Sequence, residues 1–484
     1  MKIPRASVTV HKGKLSFIPD FKKVITRFFQ PGREQQEHIV KRILALSDKE
    51  VDVILEQTIS NFTHRHDDLK RLFLDNYIKL DIEQDLSLER RLLIGSYFTM
   101  EYAIETAALL NPSIVPHPIQ DLKNSNELRV ILSFRAVGEG HMSSIVFREG
   151  IVRSNNILEV GSQLSKLERG KINEDFLYQK TNFIIKLKEI GTYGFVRTIM
   201  DNLLDTFTIT ELKESVRRFT RRHKDEPGFD RIALDDLIWF AKNNYEVGFD
   251  EELNLSGRVI FPRTKGEIKA LEDARFVQFK NGNGTFTYYA TYTAYDGRNI
   301  LPQLIETKSF NRFKIITLMG KGAENKGMAL FPEKINGKYA MLSRNDNENL
   351  YIMYSDNINY WEKPVKIKGP QYYWEFFQIG NNGSPVKTEE GWLVFTHGVG
   401  PVRTYSIGAI LLDLKNPAKV IKATTKPILY TDENERDGYV PNVVYSCGSI
   451  IHNKHVVMPY AISDTRSGVA TFNLRELLDA MEVC

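Results

Sequence analysis

The chain has 484 residues, 42% of them hydrophobic and 26% charged, the balance of an ordinary soluble globular protein. A formal net charge of +4 is small for that length and gives no electrostatic case for nucleic acid as a partner. Two cysteines exclude a disulfide framework and fit a reducing compartment.

The start, Met1 to Val8, lacks the apolar core of a signal peptide, and no window approaches the run of about 18 apolar residues that spans a bilayer. A cytoplasmic protein is the expectation. Residues 1–110 read as a mainly helical region after a short extended start. Ile39, Val40, Ile43 and Leu44 share one helical face. Ser47 with Glu50 spells a capping box ahead of a second helix running to Phe62. A third helix is expected over Arg90 to Leu110, where Ala, Leu and Ile are dense. His64 and His66 have no clear third ligand, so they are read as a solvated helix end and not as a metal site.

The texture changes at Asn111. Leu128 to Arg135 and Ser143 to Arg148, joined by Val137-Gly138-Glu139-Gly140, have the grammar of a hairpin. Helical texture returns over about 164–244, read as an insert. Its basic run Lys213 to Lys224 is interleaved with Glu214 and flanked by Glu211, Asp225 and Glu226, a solvated helix face. From about Asn254 onward short aromatic and aliphatic strands recur at Phe286–Thr293, Lys338–Arg344, Gly391–His397 and His455–Ala461, and Val130–Arg135 has the same form. A spacing of about 50 to 60 residues is near the blade length of a β-propeller. The expected fold is therefore mainly β: a five-bladed propeller over 111–484, carrying the helical insert after its first blade.

Within that frame Leu271-Glu272-Asp273-Ala274-Arg275 sets two carboxylates and an arginine at the mouth of a strand. Asp273 reads either as a catalytic acid or as half of a surface ion pair. Other polar residues at strand ends are Arg135, Asp296, Arg344, His397 and Asp464, with Lys334 ahead of its strand and Tyr405 beginning one. Carboxylates suit sugar hydroxyls and protons; Lys, Arg, His and Tyr suit an oxyanion.

These residues carry a resemblance. Asn111-Pro112-Ser113-Ile114, Phe134-Arg135-Ala136, Glu272-Asp273-Ala274-Arg275, Ala329 to Lys334 with Gly337-Lys338-Tyr339, Gly391-Trp392-Leu393 with His397-Gly398, Gly438 to Val444 and Ser463-Asp464 resemble, in order, the motifs of glycoside hydrolase family 130, the β-mannoside phosphorylases and mannosidases. The family usually has Pro where this chain has Ala274, and the first helices and the insert lie outside its shorter members. The resemblance implies a five-bladed propeller and an inverting phosphorylase giving α-mannose 1-phosphate, with inorganic phosphate as co-substrate and no cofactor or metal. It implies Asp273 as the acid, acting through a sugar hydroxyl, and Lys334, His397 and Tyr405 on phosphate. Asn111 and Asp464 are implied to hold the mannosyl unit, and Arg135 to lie at the pocket floor or near phosphate. Arg344 is added on chemical grounds, because its guanidinium fork matches phosphate; Lys326 could reach the same place. The partners implied are a mannoside and phosphate, with neither nucleic acid nor membrane, and a homo-oligomer is compatible. An inverting mannosidase and a non-catalytic carbohydrate-binding propeller are the alternatives.

Overall fold

The computed structural model describes residues 6–161 and 166–484. Residues 1–5, in the expected extended start, and Leu164, the expected beginning of the insert, lie outside the described residues.

Short strands rich in Val, Ile, Tyr and Phe dominate, and they pair antiparallel in five successive blocks. The first block is Ala108–Pro116, Leu128–Val137 and Ser143–Val152, edged by Leu158–Val160. The second is Ala270–Lys280, Phe286–Tyr295, Ile300–Thr307 and Arg312–Thr317. A single parallel pairing, Ala270 with Ser143, joins these two. The third is Ala329–Leu330, Tyr339–Ser343, Leu350–Ser355 and Val365–Lys368. The fourth is Gln378–Asn381, Trp392–Val399, Tyr405–Leu412 and Val420–Ala423. The fifth takes Val444–Tyr445, His455–Ile462 and Arg466–Asn473, and its outer strand is His11–Phe17 from the far end of the chain.

Alternation along each strand leaves apolar side chains on both faces of a block, so each must be covered by a neighbour. Ile145 and Phe147 of the first block pack with Phe276 and Tyr288 of the second. Val277 and Tyr289 meet Leu330 and Met341 of the third, whose Leu342 and Ile352 meet Trp392 and Ile410 of the fourth. Leu393 and Ile407 pack with Val456 and Tyr460 of the fifth, and Val457 and Val469 return to Val130 and Phe134 of the first. The chain of contacts closes on itself.

Two helical regions carry their own cores. The first is α1 (Arg33–Leu44), α2 (Asp48–Phe62), α3 (Leu69–Ile78) and α4 (Leu88–Tyr97), packed around Val51, Leu93 and Phe98. The capping box forms as expected: Ser47 N donates to Glu50 at 2.8 Å, and Glu50 N donates back to the Ser47 hydroxyl at 3.4 Å. The second is α5 (Lys180–Glu189), α6 (Tyr193–Asp201), α7 (Ile209–His223) and α8 (Arg231–Lys242), around Phe183, Leu187, Leu237 and Phe240. The helical insert thus begins at Lys180, after short strands at Lys171–Ile172 and Tyr178–Gln179.

The helix expected over Arg90–Leu110 is corrected: α4 stops at Tyr97, and Thr99–Ala103 and Ala108–Pro116 are strands. Leu109 and Leu110 are buried on opposite strand faces, a continuous apolar run whose periodicity does not separate strand from helix. Partners decide instead, with Thr99–Ala103 pairing to Val24–Phe28 and Ala108–Pro116 to Leu128–Val137. His66 is also corrected: it is buried, and its Nε2 lies 2.6 Å from Glu101 Oε1. No helix among the described residues is long and apolar enough to cross a membrane.

Candidate active site

Asp273 is aimed by a bulge. The pairing of Ala270–Lys280 with Phe286–Tyr295 slips between Glu272 and Arg275, and Asp273 takes φ of 56°. The first block repeats the device, with a slip between Leu110 and Ser113 and φ of 49° at Asn111. Positive φ is costly for residues other than glycine, and bulges re-aim a side chain out of the ladder. The two bulges bring Asn111 Nδ2 to 2.5 Å from Asp273 Oδ1, where it donates a hydrogen bond.

Cations surround this carboxylate. Arg135 Nη1 and Arg275 Nη2 lie 3.8 Å from its oxygens. Burial pushes the Asp273 pKa up, but Arg275, Arg135, the Asn111 amide and Lys326 outweigh it and hold the group below the ordinary carboxylate value. Glu272, beside it, is engaged on both oxygens, by Arg135 Nη2 at 3.0 Å and by Lys326 Nζ at 2.5 Å. Arg275 is 2% exposed and spans the centre, donating to the carbonyls of Asn382 (2.6 Å) and Asp273 (3.0 Å) and to the Tyr445 hydroxyl (2.7 Å).

Arg344 follows the second strand of the third block, and its Nη1 lies 3.0 Å from His397 Nε2. A guanidinium only donates, so Nε2 accepts and the ring proton sits on Nδ1, 3.1 Å from Asn382 Oδ1. Burial, then the charges of Arg344 and Arg275, drive the His397 pKa well below its ordinary value. The imidazole is neutral and orients Arg344; it adds no positive charge. The Tyr405 ring stacks 5.9 Å from His397, and the Tyr445 ring lies 4.9 Å away. Among the described residues, buried polar atoms without a protein partner gather here: Asn111 Oδ1, Arg344 Nε and Asn382 Nδ2.

Asp464 stands after the strand His455–Ile462 at φ of 49°. Burial, then the nearby Asp273 charge, pushes its pKa up to about 6, against the pull of Arg135 and Arg403. Two carboxyl groups that share a site are thereby driven apart, one firmly ionised and one ready to hold a proton.

The structure brings together Asn111, Arg135, Asp273, Arg344, His397, Tyr405 and Asp464. Lys334 is not among them. It is exposed on the turn into Tyr339–Ser343, its ammonium 4.4 Å above the Tyr339 ring, at the other end of that strand from Arg344. The lysine at the centre is Lys326, which precedes Ala329–Leu330 where Lys334 follows it. Asp296 is also outside, capping an exposed turn through Arg298 N and Asn299 N. Asn382 and Tyr445 are additional members, on or beside the short first strands of their blocks; the polar run Asn381-Asn382-Gly383 is the one sequence signal for either. A cavity of about 840 Å³ lies elsewhere, between the insert helices and the segment Pro262 to Lys265, lined by Trp239 and Arg263 among others. Among the described residues no group of His, Cys, Asp and Glu is arranged to hold a metal ion.

The glycoside hydrolase 130 family model, described as beta-1,4-mannooligosaccharide phosphorylase, matches residues 245–483. A 1,2-beta-oligomannan phosphorylase of Thermoanaerobacter sp. strain X514 is 34% identical over 251 residues, covering 49% of this chain and 81% of the relative. A beta-1,2-mannobiose phosphorylase of Listeria innocua is 32% identical over 278 residues, 55% of this chain and 74% of the relative. The solved complex of the Listeria innocua beta-1,2-mannobiose phosphorylase with beta-1,2-mannobiose superposes with a TM-score of 0.45 at 23% identity, covering 77% of this chain and 92% of that one.

Proposed function

Because the chain belongs to glycoside hydrolase family 130, we propose that it is an inverting phosphorylase of β-mannosides. A phosphate oxygen attacks the anomeric carbon, the glycosidic C–O bond breaks, and a proton passes to the leaving oxygen. The products are α-mannose 1-phosphate and a shortened acceptor, and the reverse synthesis uses the same groups. Asp273 is the acid, Asn111 and Asp464 hold the mannosyl unit, and Arg344, Lys326 and Arg135 receive the phosphate. No cofactor is needed.

One observation carries this reading: guanidinium and ammonium groups crowd the centre, Arg135, Arg275, Arg344 and Lys326 around Asp273 and Glu272. Hydrolysis with inversion needs a second carboxylate to activate water. Glu272 is engaged by Arg135 and Lys326, and Asp464, whose pKa burial and the Asp273 charge raise to about 6, is assigned here to the mannosyl hydroxyls. Phosphate is already anionic and needs none. Its arrival also addresses the low pKa of Asp273, since a dianion against Arg344 and Lys326 cancels part of the field that keeps Asp273 ionised. Phosphate binding and proton uptake by the acid are linked. Exposed rings at the same end, Phe377 two residues before Ile379 and Tyr439 beside Thr465, suit the apolar faces of an acceptor sugar.

The five blocks are the blades of one propeller, a reading supported by the packing that returns from the fifth block to the first. On it the helices Arg33–Tyr97 and Lys180–Lys242 are appendages. A cytoplasmic homo-oligomer completes the proposal. The test is incubation with α-mannose 1-phosphate and a panel of acceptor sugars, expecting phosphate release and a new mannoside. Parallel incubation of mannosides with and without phosphate separates the alternative: equal mannose release in both would make the protein a mannosidase.

A further inference from the structure

Where the N-terminal helices meet the propeller blocks, a cavity of about 510 Å³ opens among Arg27, Phe28, Lys79, Arg169 and Phe261. Arg27 lies on the strand Val24–Phe28, Lys79 caps the C-terminal end of α3, and Arg169 lies on the connection that leads into the insert. The Arg27 and Arg169 guanidinium carbons stand 5.5 and 5.3 Å from the centroid of one ring, Phe261. Arg263 stands behind Arg169, its guanidinium turned onto the carbonyls of Arg169 and Gly170.

Charge here does not balance. The carboxylates on the cavity wall have other cations: Asp67 pairs with Lys166 at 2.5 Å, Glu168 faces Arg258, and Asp75 acts on Lys79. Among the described residues neither Arg27 nor Arg169 has a carboxylate within ion-pair distance. The nine residues outside the description carry no Asp or Glu. Among the described residues the only side-chain hydrogen bond Arg169 makes is to the Thr26 carbonyl at 3.4 Å, which leaves most of its fork undirected by them. Burial, then the charges of Arg263 and Arg27, lower its pKa to about 10. Arg169, partly buried beside two further guanidinium groups, costs stability unless an anion completes the cluster.

We propose that Arg27 and Arg169, with Lys79 beside them, form a second anion site, distinct from the Asp273 centre, that takes a phosphoryl group. Two planar forks meet the oxygens of a phosphate dianion bidentately, and a phosphoryl group supplies the two negative charges the pair lacks. A bound phosphate ties the N-terminal strand and α3 to the 166–170 connection, and through Arg263 to the segment that runs on to Asp273. The site is therefore placed to couple the helical region to the catalytic block. Nothing in this inference depends on the reaction at Asp273.

Equilibrium dialysis with labelled inorganic phosphate on the full chain tests it, comparing wild type with Arg169→Gln and Arg27→Gln. Each variant is expected to bind one phosphate fewer per chain than wild type, whatever the catalytic centre binds. Unchanged stoichiometry overturns the site. Competition by α-mannose 1-phosphate identifies the source: displacement at tenfold lower concentration than unlabelled phosphate assigns a sugar phosphate, and otherwise the ion itself is the ligand. In phosphate-free buffer Arg169→Gln is expected to unfold at or above the wild-type midpoint, because it relieves repulsion. A clear fall, or failure to fold, would make Arg169 a structural anchor and overturn the proposal.

Discussion

Asn111 and Asp273 meet across two blocks at 2.5 Å, and each stands on a bulge with its backbone in the left-handed region. Neither is a residue that a β-strand places there by default. Strain of this kind costs of order 1–3 kcal/mol per residue and persists where the surroundings over-determine it. Here they do: Arg275 holds the Asp273 carbonyl, and the Ser113 hydroxyl, just past the first bulge, accepts from Phe276 N at 3.2 Å.

Asp273→Asn keeps the shape and the strained turn but removes the proton donor. Loss of a positioned acid costs about 10²–10⁴-fold, so turnover of a mannoside with phosphate is expected to fall by at least a hundredfold. The fold is expected to survive with about 1–3 kcal/mol less stability, since Arg275 and Arg135 lose their anion. Near wild-type turnover in the purified variant would take the acid role from Asp273.

Two lysines eight residues apart separate the two ends of the third block. Lys326→Ala removes the ammonium on Glu272 and is expected to raise the phosphate concentration needed for half-maximal rate by about tenfold or more, the scale of one charge-assisted bond. Lys334→Ala removes only an exposed contact with Tyr339, with no effect on the phosphate dependence. Initial rates across a phosphate series decide it; the opposite ranking would return Lys334 to the site.

That pair also marks how far the sequence reaches. Asp273, Arg135, Arg344 and His397 are legible because each lies near an end of a strand long enough to show its own alternation. Ala329–Leu330 is two residues long, so no period says which of its flanking lysines lies at the reactive end. The same brevity hid Asn382 beside Gln378–Asn381 and Tyr445 in Val444–Tyr445. Leu109 and Leu110 misled for a different reason: helix-forming composition is a weak prior, and pairing with Leu128–Val137 overrides it. The contribution of His11–Phe17 to the last block is a contact of very long sequence separation, which no local pattern encodes.

His397 stands at the site without adding positive charge to it. Nitrogen-15 NMR of the ring is expected to show the neutral Nδ1–H form down to pH 6 or below, because protonation would set a buried cation against Arg344 and Arg275. His397→Gln frees Arg344, and losing one bond to a charged group costs about 1.5–3 kcal/mol. A tenfold to hundredfold rise in the phosphate requirement is expected, with a smaller change in the maximal rate. Ordinary titration near pH 6.5 would instead restore an imidazolium to the phosphate site.

Asp464 gives the clearest dependence of stability on pH. Its folded pKa of about 6 lies above the ordinary aspartate value of about 3.9. Between those values the folded protein holds a proton that the unfolded chain has released, so this group's contribution is full below about pH 4 and is lost as pH rises through about 6. Asp464→Asn has no such proton to lose. Its stability relative to wild type is expected to improve by of order 2–3 kcal/mol between pH 4 and pH 7, from the size of the shift. Denaturant unfolding of both proteins at the two pH values measures the change. Asp273, held ionised, acts with the opposite sign and only at lower pH, so it is common to both proteins and drops out of the comparison. A gap that stays constant would mean that folding does not raise the Asp464 pKa, and that burial beside Asp273 is offset by Arg135 and Arg403.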